Sequence, residues 1–181
     1  MISGGKVQPK PFEVLLDQNQ ISERITELGR QISVDYEDKQ PVLVGVLKGC
    51  VVFLADLIRQ ITVPLELEFV LASSYRQGAW QETDVKIGGE FSIDLKARHV
   101  LLVEGIVDTG KTASLILDKI NRMEPASVEI VSLLDKPASH RQKLKIKYKG
   151  FSIGNEFAIG FGLDNTQQFR HLPFVGRMVD S

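Results

Sequence analysis

The segment from Glu104 to Thr112 contains the residue types that a combined phosphate-binding and acid–base site needs. Two acids, Glu104 and Asp108, follow an apolar run, and four residues suited to an anion come next at a predicted helix start. These four are Thr109, Gly110, Lys111 and Thr112. Backbone N–H groups and the dipole at a helix start attract anions, and a glycine lets the backbone approach a phosphate closely. The neighbouring acids suit a polyol, a metal ion or a proton transfer, so the segment predicts a sugar phosphate as ligand.

The same segment also fits a second type of site. Residues 105–112 match G-x-x-x-x-G-K-T, the pattern of the nucleotide-binding P-loop, between a predicted strand and a predicted helix. Asp135 ends a later apolar run, as the magnesium-holding partner of a P-loop would. Asp108 would lie inside such a phosphate cradle and repel the ligand, which counts against this interpretation. A small P-loop nucleotide hydrolase or kinase stays an alternative on the sequence alone.

Composition narrows the class of protein. The chain has 181 residues, with 22 Lys and Arg against 23 Asp and Glu, and a net charge of −1 gives no support to a basic nucleic-acid binder. The single cysteine, Cys50, excludes an internal disulfide framework and a cysteine-based zinc finger. No run reaches the roughly 20 apolar residues of a membrane-spanning helix. Met1 to Pro11 has no apolar signal-peptide core and is expected to form a loose arm, so we expect a cytoplasmic protein without membrane association.

The apolar pattern predicts the elements that position these residues. Short apolar runs rich in β-branched residues predict strands at 42–47, 65–71, 99–103 and 128–134, with shorter apolar runs near 151 and at 157–161. Helical spacing predicts helices around 21–32, 50–61 and 113–123. Asp17 and Gln20 form a predicted capping box before the first helix. The polar segment 72–93 is predicted to be a long loop with room for a hairpin.

Alternating strands and helices indicate an α/β fold with a parallel sheet covered by helices. Ligands of such sheets bind beyond the carboxyl ends of the strands. Lys48, residues 104–112 and the pair Asp135-Lys136 all fall at those ends. The three histidines, His99, His140 and His171, show no ligand spacing and are expected to be structural or surface residues.

Six segments in one order carry a family resemblance. They are residues 44–49, 72–75, 104–112, 133–137, 160–164 and 169–170. Together they resemble the bacterial hypoxanthine (6-oxopurine) phosphoribosyltransferases of purine salvage, from about residue 12 to the C-terminus. The resemblance implies a type I phosphoribosyltransferase fold in one domain over residues 1–181, with a mobile loop at 72–93 and hood and base-binding segments within 136–181.

That family transfers the 5-phosphoribosyl group from phosphoribosyl pyrophosphate to a purine. The resemblance therefore implies a transferase acting on hypoxanthine and guanine, with Mg²⁺ as cofactor, no nucleic-acid partner, and assembly as a homodimer or homotetramer. A non-catalytic relative that binds ribose phosphates and regulates another process is the remaining alternative.

The resemblance also implies a role for each matching residue. Lys48 and Gly49 resemble the loop that holds the pyrophosphate of the donor, often through a non-proline cis peptide, and Arg170 resembles a further pyrophosphate contact. Asp164 resembles the carboxylate that contacts the magnesium–pyrophosphate, and Glu104 resembles the acid that meets the ribose hydroxyls and shares the metal.

The remaining roles concern the base, the 5′-phosphate and the lid. Asp108 resembles the general base near the purine ring nitrogen, and Thr109 to Thr112 resemble the 5′-phosphate cradle. Lys136 resembles the donor to the purine 6-oxo group. Phe157 resembles the stacking ring, and the backbone of Ala158 the group that reads the purine edge. Ser74-Tyr75 resembles the tip of the mobile loop.

Three departures from the family pattern stand out. Gly105 occupies the position where the family normally has an aspartate after the glutamate, so one ribose-binding carboxylate is missing. Gly154-Asn155 replaces the usual Pro-Asp before the base-stacking segment, and Asn165 stands where an aromatic residue commonly follows the aspartate. The glycine at 105 is the feature that keeps the non-catalytic alternative open.

Overall fold

The computed structural model describes residues 12–75 and 84–179, with the backbone alone for residues 73–75 and 84. The strands are β1 Phe12–Leu16, β2 Val42–Leu47, β3 Glu66–Tyr75, β4 Asp84–Gly88, β5 His99–Val107, β6 Ser127–Asp135, β7 Ile146–Ser152, β8 Ala158–Ile159 and β9 Val175–Met178. The helices are α1 Gln18–Asp35, α2 Val51–Ile58 and α3 Lys111–Asn121, and a short 3₁₀ turn covers Pro137–Ser139.

A six-stranded sheet in the order β4-β3-β2-β5-β6-β7 forms the main layer. All its pairings are parallel except the antiparallel pair of β3 and β4. A separate antiparallel sheet in the order β1-β9-β8 joins the two ends of the described chain. The predicted α/β architecture with a mostly parallel sheet is confirmed.

The continuous apolar runs of the strands contribute side chains to two hydrophobic cores. Alternate residues point to opposite faces of a strand, and both faces of the central strands β2 and β5 are covered. Leu43 and Leu101 lie in the core beneath α1 and α2, whereas their neighbours Val44 and Leu102 lie in the core beneath α3. A parallel sheet buried on both sides needs such continuous apolar strands rather than alternating ones.

Helix α1 begins at the predicted capping box. The Asp17 carboxylate accepts hydrogen bonds from the backbone N–H groups of Asn19 at 2.8 Å and Gln20 at 2.9 Å. The Gln20 side chain accepts one from Asp17 N at 2.9 Å. The predicted apolar stripe is buried, from Ile21 to Ile32. Local sequence therefore fixes both the start and the inward face of this helix.

The segment predicted as a loop at 72–93 contains two paired strands. Strand β3 runs four residues beyond the predicted end at Leu71, and β4 pairs with it, so the expected hairpin is confirmed and the loop boundary at 72 is wrong. Ser74 and Tyr75 pair with Val85 and Asp84 and thus belong to the strand rather than to a loop tip. Residues 76–83 and the predicted arm at 1–11 lie outside the described residues. Within the described ranges, no helix has the length and apolar character to cross a membrane.

Candidate active site

A cleft of about 740 Å³ opens at the carboxyl edge of the parallel strands. Twelve predicted site residues line it: Lys48, Gly49, Glu104, Asp108, Thr109, Gly110, Thr112, Lys136, Phe157, Ala158, Asp164 and Arg170. Lys111 is not among the described residues that line the cleft, although it begins α3. The structure thus brings together residues from five separate parts of the chain, as the strand-end argument predicts.

Glu104 reaches the cleft from inside strand β5. Only 7% of the residue is exposed, and burial raises the pKa of its carboxyl from 4.5 to about 8. Within the described part of the chain, no hydrogen bond to this carboxyl is found. With this pKa, the Glu104 carboxyl is protonated at neutral pH, and its oxygens are available to hydrogen-bond a ligand. Hydroxyl groups or a cation are the ligands that would satisfy it.

The loop after β5 has three residues, Asp108 to Gly110, and then α3 begins. Gly110 has a φ of 82°, a left-handed conformation that favours glycine. A Cβ at this position would also lie 2.7 Å from Leu144 Cδ1. Thr109 Oγ1 accepts a 3.4 Å hydrogen bond from Lys111 N. This arrangement presents the backbone N–H groups at the start of α3 to the cleft, the geometry of an anion site.

The strand pairing excludes the P-loop alternative. Ile106 and Val107 pair with Leu134 and Asp135 in the sheet. In a G-x-x-x-x-G-K-T loop, the residues that follow the first glycine leave the strand so that their backbone N–H groups surround the phosphates. Here only three residues separate the strand from the helix, so no such cradle exists.

Lys136 and Asp108 form an ion pair in the cleft. Lys136 Nζ lies 2.8 Å from Asp108 Oδ2, and Lys136 N donates to Val107 O at 2.9 Å. Lys136 is 6% exposed, whereas about half of the Asp108 side chain is accessible. Phe157 lies on the cleft wall with 52% of its surface exposed. An aromatic face, an ammonium donor and a carboxylate acceptor therefore line the same cleft.

The turn after β2 also lines the cleft, through Lys48 and Gly49. The peptide bond between Leu47 and Lys48 is cis, so the non-proline cis peptide expected near Lys48-Gly49 is present. Arg170 Nη2 lies 2.6 Å from Asp164 Oδ1, and Arg170 Nη1 donates to Gly162 O at 2.7 Å. Two cations, Lys48 and Arg170, thus face the cleft from different segments.

Close packing gives a reason for the glycine at 105. A Cβ at Gly105 would lie 2.5 Å from Gly49 O, and a Cβ at Gly162 would lie 2.6 Å from the same oxygen. The carbonyl of Gly49 is therefore held between two backbones that carry no side chain. Any side chain at 105 would press against the backbone of the Lys48-Gly49 turn.

Two other features of the site have no signal in the sequence. Gln167 lines the cleft between Lys48 and Arg170. Behind Lys136, the buried Asp135 lies 2.8 Å from both His140 Nε2 and Lys149 Nζ. The prediction that His140 is structural agrees with this position, but its carboxylate partner was not predicted.

Known proteins resemble this chain along most of its length. Residues 12–166 match the family model of the phosphoribosyl transferase domain. The chain belongs to the phosphoribosyltransferase family. It is 42% identical over 170 residues to the hypoxanthine phosphoribosyltransferase of Haemophilus influenzae, an alignment that covers 92% of this chain and 95% of that one. The Escherichia coli K12 hypoxanthine phosphoribosyltransferase is 41% identical over 169 residues with the same coverage.

Solved phosphoribosyltransferases also share the fold. A hypoxanthine-guanine phosphoribosyltransferase from Bacillus anthracis, with HEPES in its active site, matches with a TM-score of 0.86 at 36% identity, over 92% of this chain and 98% of that one. A hypoxanthine phosphoribosyltransferase from Staphylococcus aureus matches with a TM-score of 0.87 at 37% identity, over 92% and 91% of the two chains. The predicted type I phosphoribosyltransferase fold is confirmed.

Proposed function

We propose that this phosphoribosyltransferase transfers the 5-phosphoribosyl group of phosphoribosyl pyrophosphate to hypoxanthine, and also to guanine. The products are the nucleoside monophosphate and pyrophosphate. The curated relatives named as hypoxanthine phosphoribosyltransferases support this substrate. The observation that carries the proposal is the Lys136–Asp108 pair in a cleft that the exposed ring of Phe157 also lines, because the cleft then offers a donor, an acceptor and a stacking face to a base.

The base-binding region favours a 6-oxopurine. A lysine ammonium group only donates hydrogen bonds, so Lys136 matches a purine oxygen and opposes the amino group of adenine. In the free protein Lys136 is paired with Asp108. When a 6-oxopurine enters, the ammonium group donates to O6. The half-exposed Asp108 carboxylate then accepts the proton of the attacking ring nitrogen.

The other parts of the donor fit the remaining cleft residues. The backbone and hydroxyl donors from Thr109 to Thr112 hold the 5′-phosphate at the start of α3. Glu104 meets the ribose hydroxyls. Lys48 and Arg170 hold the pyrophosphate and stabilise the negative charge that grows on it as the bond to the anomeric carbon breaks.

The donor set also fits a magnesium ion that arrives with its substrate. Among the described residues, no group of three or more His, Cys, Asp or Glu side chains is placed to hold a metal. Magnesium typically binds through one or two carboxylates and the phosphates of its substrate. Asp164 supplies a carboxylate on the cleft wall, and Glu104 would supply a second once the arriving cation displaces its proton. Bound Mg²⁺ would neutralise the pyrophosphate and make it a better leaving group.

The ribose ring carries positive charge in this reaction, as in glycoside hydrolysis, so water must be kept away. We assign this task to the β3–β4 hairpin, on which Ser74 and Tyr75 lie.

We also propose that residues 1–181 form one domain and that the enzyme is a homodimer or homotetramer. Light scattering after size-exclusion chromatography tests the oligomer directly.

A spectrophotometric transfer assay tests the function. The protein, magnesium and phosphoribosyl pyrophosphate are mixed in turn with hypoxanthine, guanine, xanthine and adenine. We expect nucleotide formation from hypoxanthine and guanine, and none from adenine. Donor binding without transfer to any base would refute catalysis and favour the regulatory relative, while hydrolysis of ATP or GTP would contradict the assignment of the loop after β5.

A further inference from the structure

One uncharged side chain lies between the two cations assigned to pyrophosphate. Gln167 Oε1 is 3.4 Å from Lys48 Nζ and 3.4 Å from Arg170 Nη2. All three residues line the cleft. An oxygen that faces two cations at once occupies the position that an anionic oxygen would take.

A turn with unfavourable backbone angles holds Gln167 there. Asn165 and Gln168 exchange two backbone hydrogen bonds, of 3.2 Å and 3.0 Å, around Thr166 and Gln167. These two central residues have φ values of 50° and 66°. Two left-handed residues in a two-residue turn match type I′, which normally uses glycine or asparagine, and a β-branched threonine is an outlier there. Unfavourable angles retained at a ligand cleft indicate a functional constraint.

The contacts around the turn differ in strength. Arg170 is fixed by short bonds, at 2.6 Å to Asp164 and 2.7 Å to Gly162 O. The backbone of Gln167 is also fixed, because its N–H donates to Asp164 Oδ2 at 2.7 Å. The two bonds to the amide oxygen are long, since typical values lie near 2.9 Å. Arg170 and the turn are therefore held in place, while the amide itself is easily displaced by a stronger acceptor.

A glutamine amide suits both states of such a site. Its oxygen accepts from Lys48 and Arg170 when no anion is bound. When an anion takes over those two cations, rotation about the last side-chain bond presents the NH₂ group as a donor. A carboxylate in the same place would accept but never donate, and would repel the anion.

We propose that Gln167 is a pyrophosphate-binding residue that occupies the Lys48–Arg170 cation pair in the free protein and donates to pyrophosphate in the complex. This inference rests on the proposed function, which assigns the two cations to the pyrophosphate group. It predicts that Gln167→Glu weakens pyrophosphate binding more than Gln167→Ala does.

Isothermal titration of the full-length protein with magnesium pyrophosphate measures this binding without turnover. We expect the Kd to rise about tenfold or more in Gln167→Glu, because a carboxylate there pairs with the cations and repels the anion. In Gln167→Ala we expect a rise of about two- to fivefold from the loss of one donor. Gln168→Glu is the matched control: it adds the same charge at the next, exposed residue of the turn, which does not line the cleft, and it should change the Kd clearly less than Gln167→Glu does. The KM for phosphoribosyl pyrophosphate should follow the same order while the KM for hypoxanthine stays constant.

Equal Kd values for Gln167→Glu and Gln168→Glu would overturn the inference, as would tighter binding by Gln167→Ala than by the unmodified chain. A chain that binds no magnesium pyrophosphate at all would also overturn it. Thermal melts followed by circular dichroism show whether each variant is folded. If Gln167→Glu does not fold, Gln167→Ala still tests whether the Gln167 amide donates to pyrophosphate. Pyrophosphate binding in the expected order without transfer to any purine would refute the proposed function alone.

Discussion

Replacing the buried acid Glu104 with glutamine should stabilise the free protein at alkaline pH. Burial raises the pKa of this carboxyl from 4.5 to about 8 in the folded protein, and no other cause contributes. Glutamine has nearly the same shape and carries no charge at any pH. The substitution therefore removes the free-energy cost of ionising a carboxyl that is only 7% exposed, and it leaves the packing of the side chain nearly unchanged.

The magnitude follows from proton linkage. Between pH 4.5 and about 8, the folded protein keeps a proton that the unfolded chain has released, so the free energy of unfolding falls as the pH rises through this window. With ~1.4 kcal/mol per pH unit, the loss between pH 5 and pH 9 is about 4 kcal/mol. The free energy of unfolding of the Glu104→Gln variant does not decrease in this way, because glutamine does not ionise. Its stability relative to the unmodified chain should thus increase by about 4 kcal/mol over that range.

Urea unfolding followed by circular dichroism at each pH unit from 5 to 9 measures this difference. Glu23→Gln is the matched control, because it makes the same chemical change at an exposed position of α1. The stability difference between the Glu23→Gln variant and the unmodified chain should not grow over this range. A change of less than about 1 kcal/mol for Glu104→Gln would refute the reasoning, since it would mean that water or a neighbouring group already solvates the carboxylate.

Three further substitutions test the site and the fold. Asp108→Asn should lower kcat by roughly 10²–10⁴ and leave the KM for phosphoribosyl pyrophosphate nearly unchanged, because it removes the general base; steady-state kinetics with an unchanged kcat would contradict that role. Lys136→Ala should raise the KM for hypoxanthine roughly tenfold or more through the loss of a charged donor, and an intact base affinity in the same assay would show that base recognition is assigned wrongly. Asp17→Ala should lower the free energy of unfolding by about 1 kcal/mol, because two backbone N–H groups of α1 lose their acceptor; an unchanged urea midpoint would mean that this cap contributes nothing.

Local patterns determined much of the fold. Four strands of the main sheet and the capped first helix were predictable, because β-branched apolar runs and the Asp17–Gln20 pair act over a few residues. The strand β1 and its partner β9 were not predicted, because their pairing joins residues 159 to 166 positions apart. The sheet extension of β3 to Tyr75 depends in the same way on its partner β4. Pairing of this kind forms strands from segments whose own pattern is too short to predict them.

The same distinction between local patterns and remote contacts applies to the candidate site. The acids and the anion-binding loop of residues 104–112 were visible in the sequence, because a strand end followed by a helix start is a local arrangement. The place of Gln167 between two cations was not visible, because Lys48 is 119 positions away along the chain. The packing of Gly105 and Gly162 against Gly49 O was equally hidden.

The sequence by itself therefore determined which chemical groups this protein has and which short elements carry them. Only the tertiary structure decided how these groups act on one another. It pairs Lys136 with Asp108. It buries Glu104, which raises the pKa of that carboxyl to about 8. It also places the side-chain amide of Gln167 between the cations Lys48 and Arg170. The physical reason is that hydrogen bonding, desolvation and charge interaction depend on distances of a few ångströms, and the crossovers of a parallel sheet set those distances between remote segments.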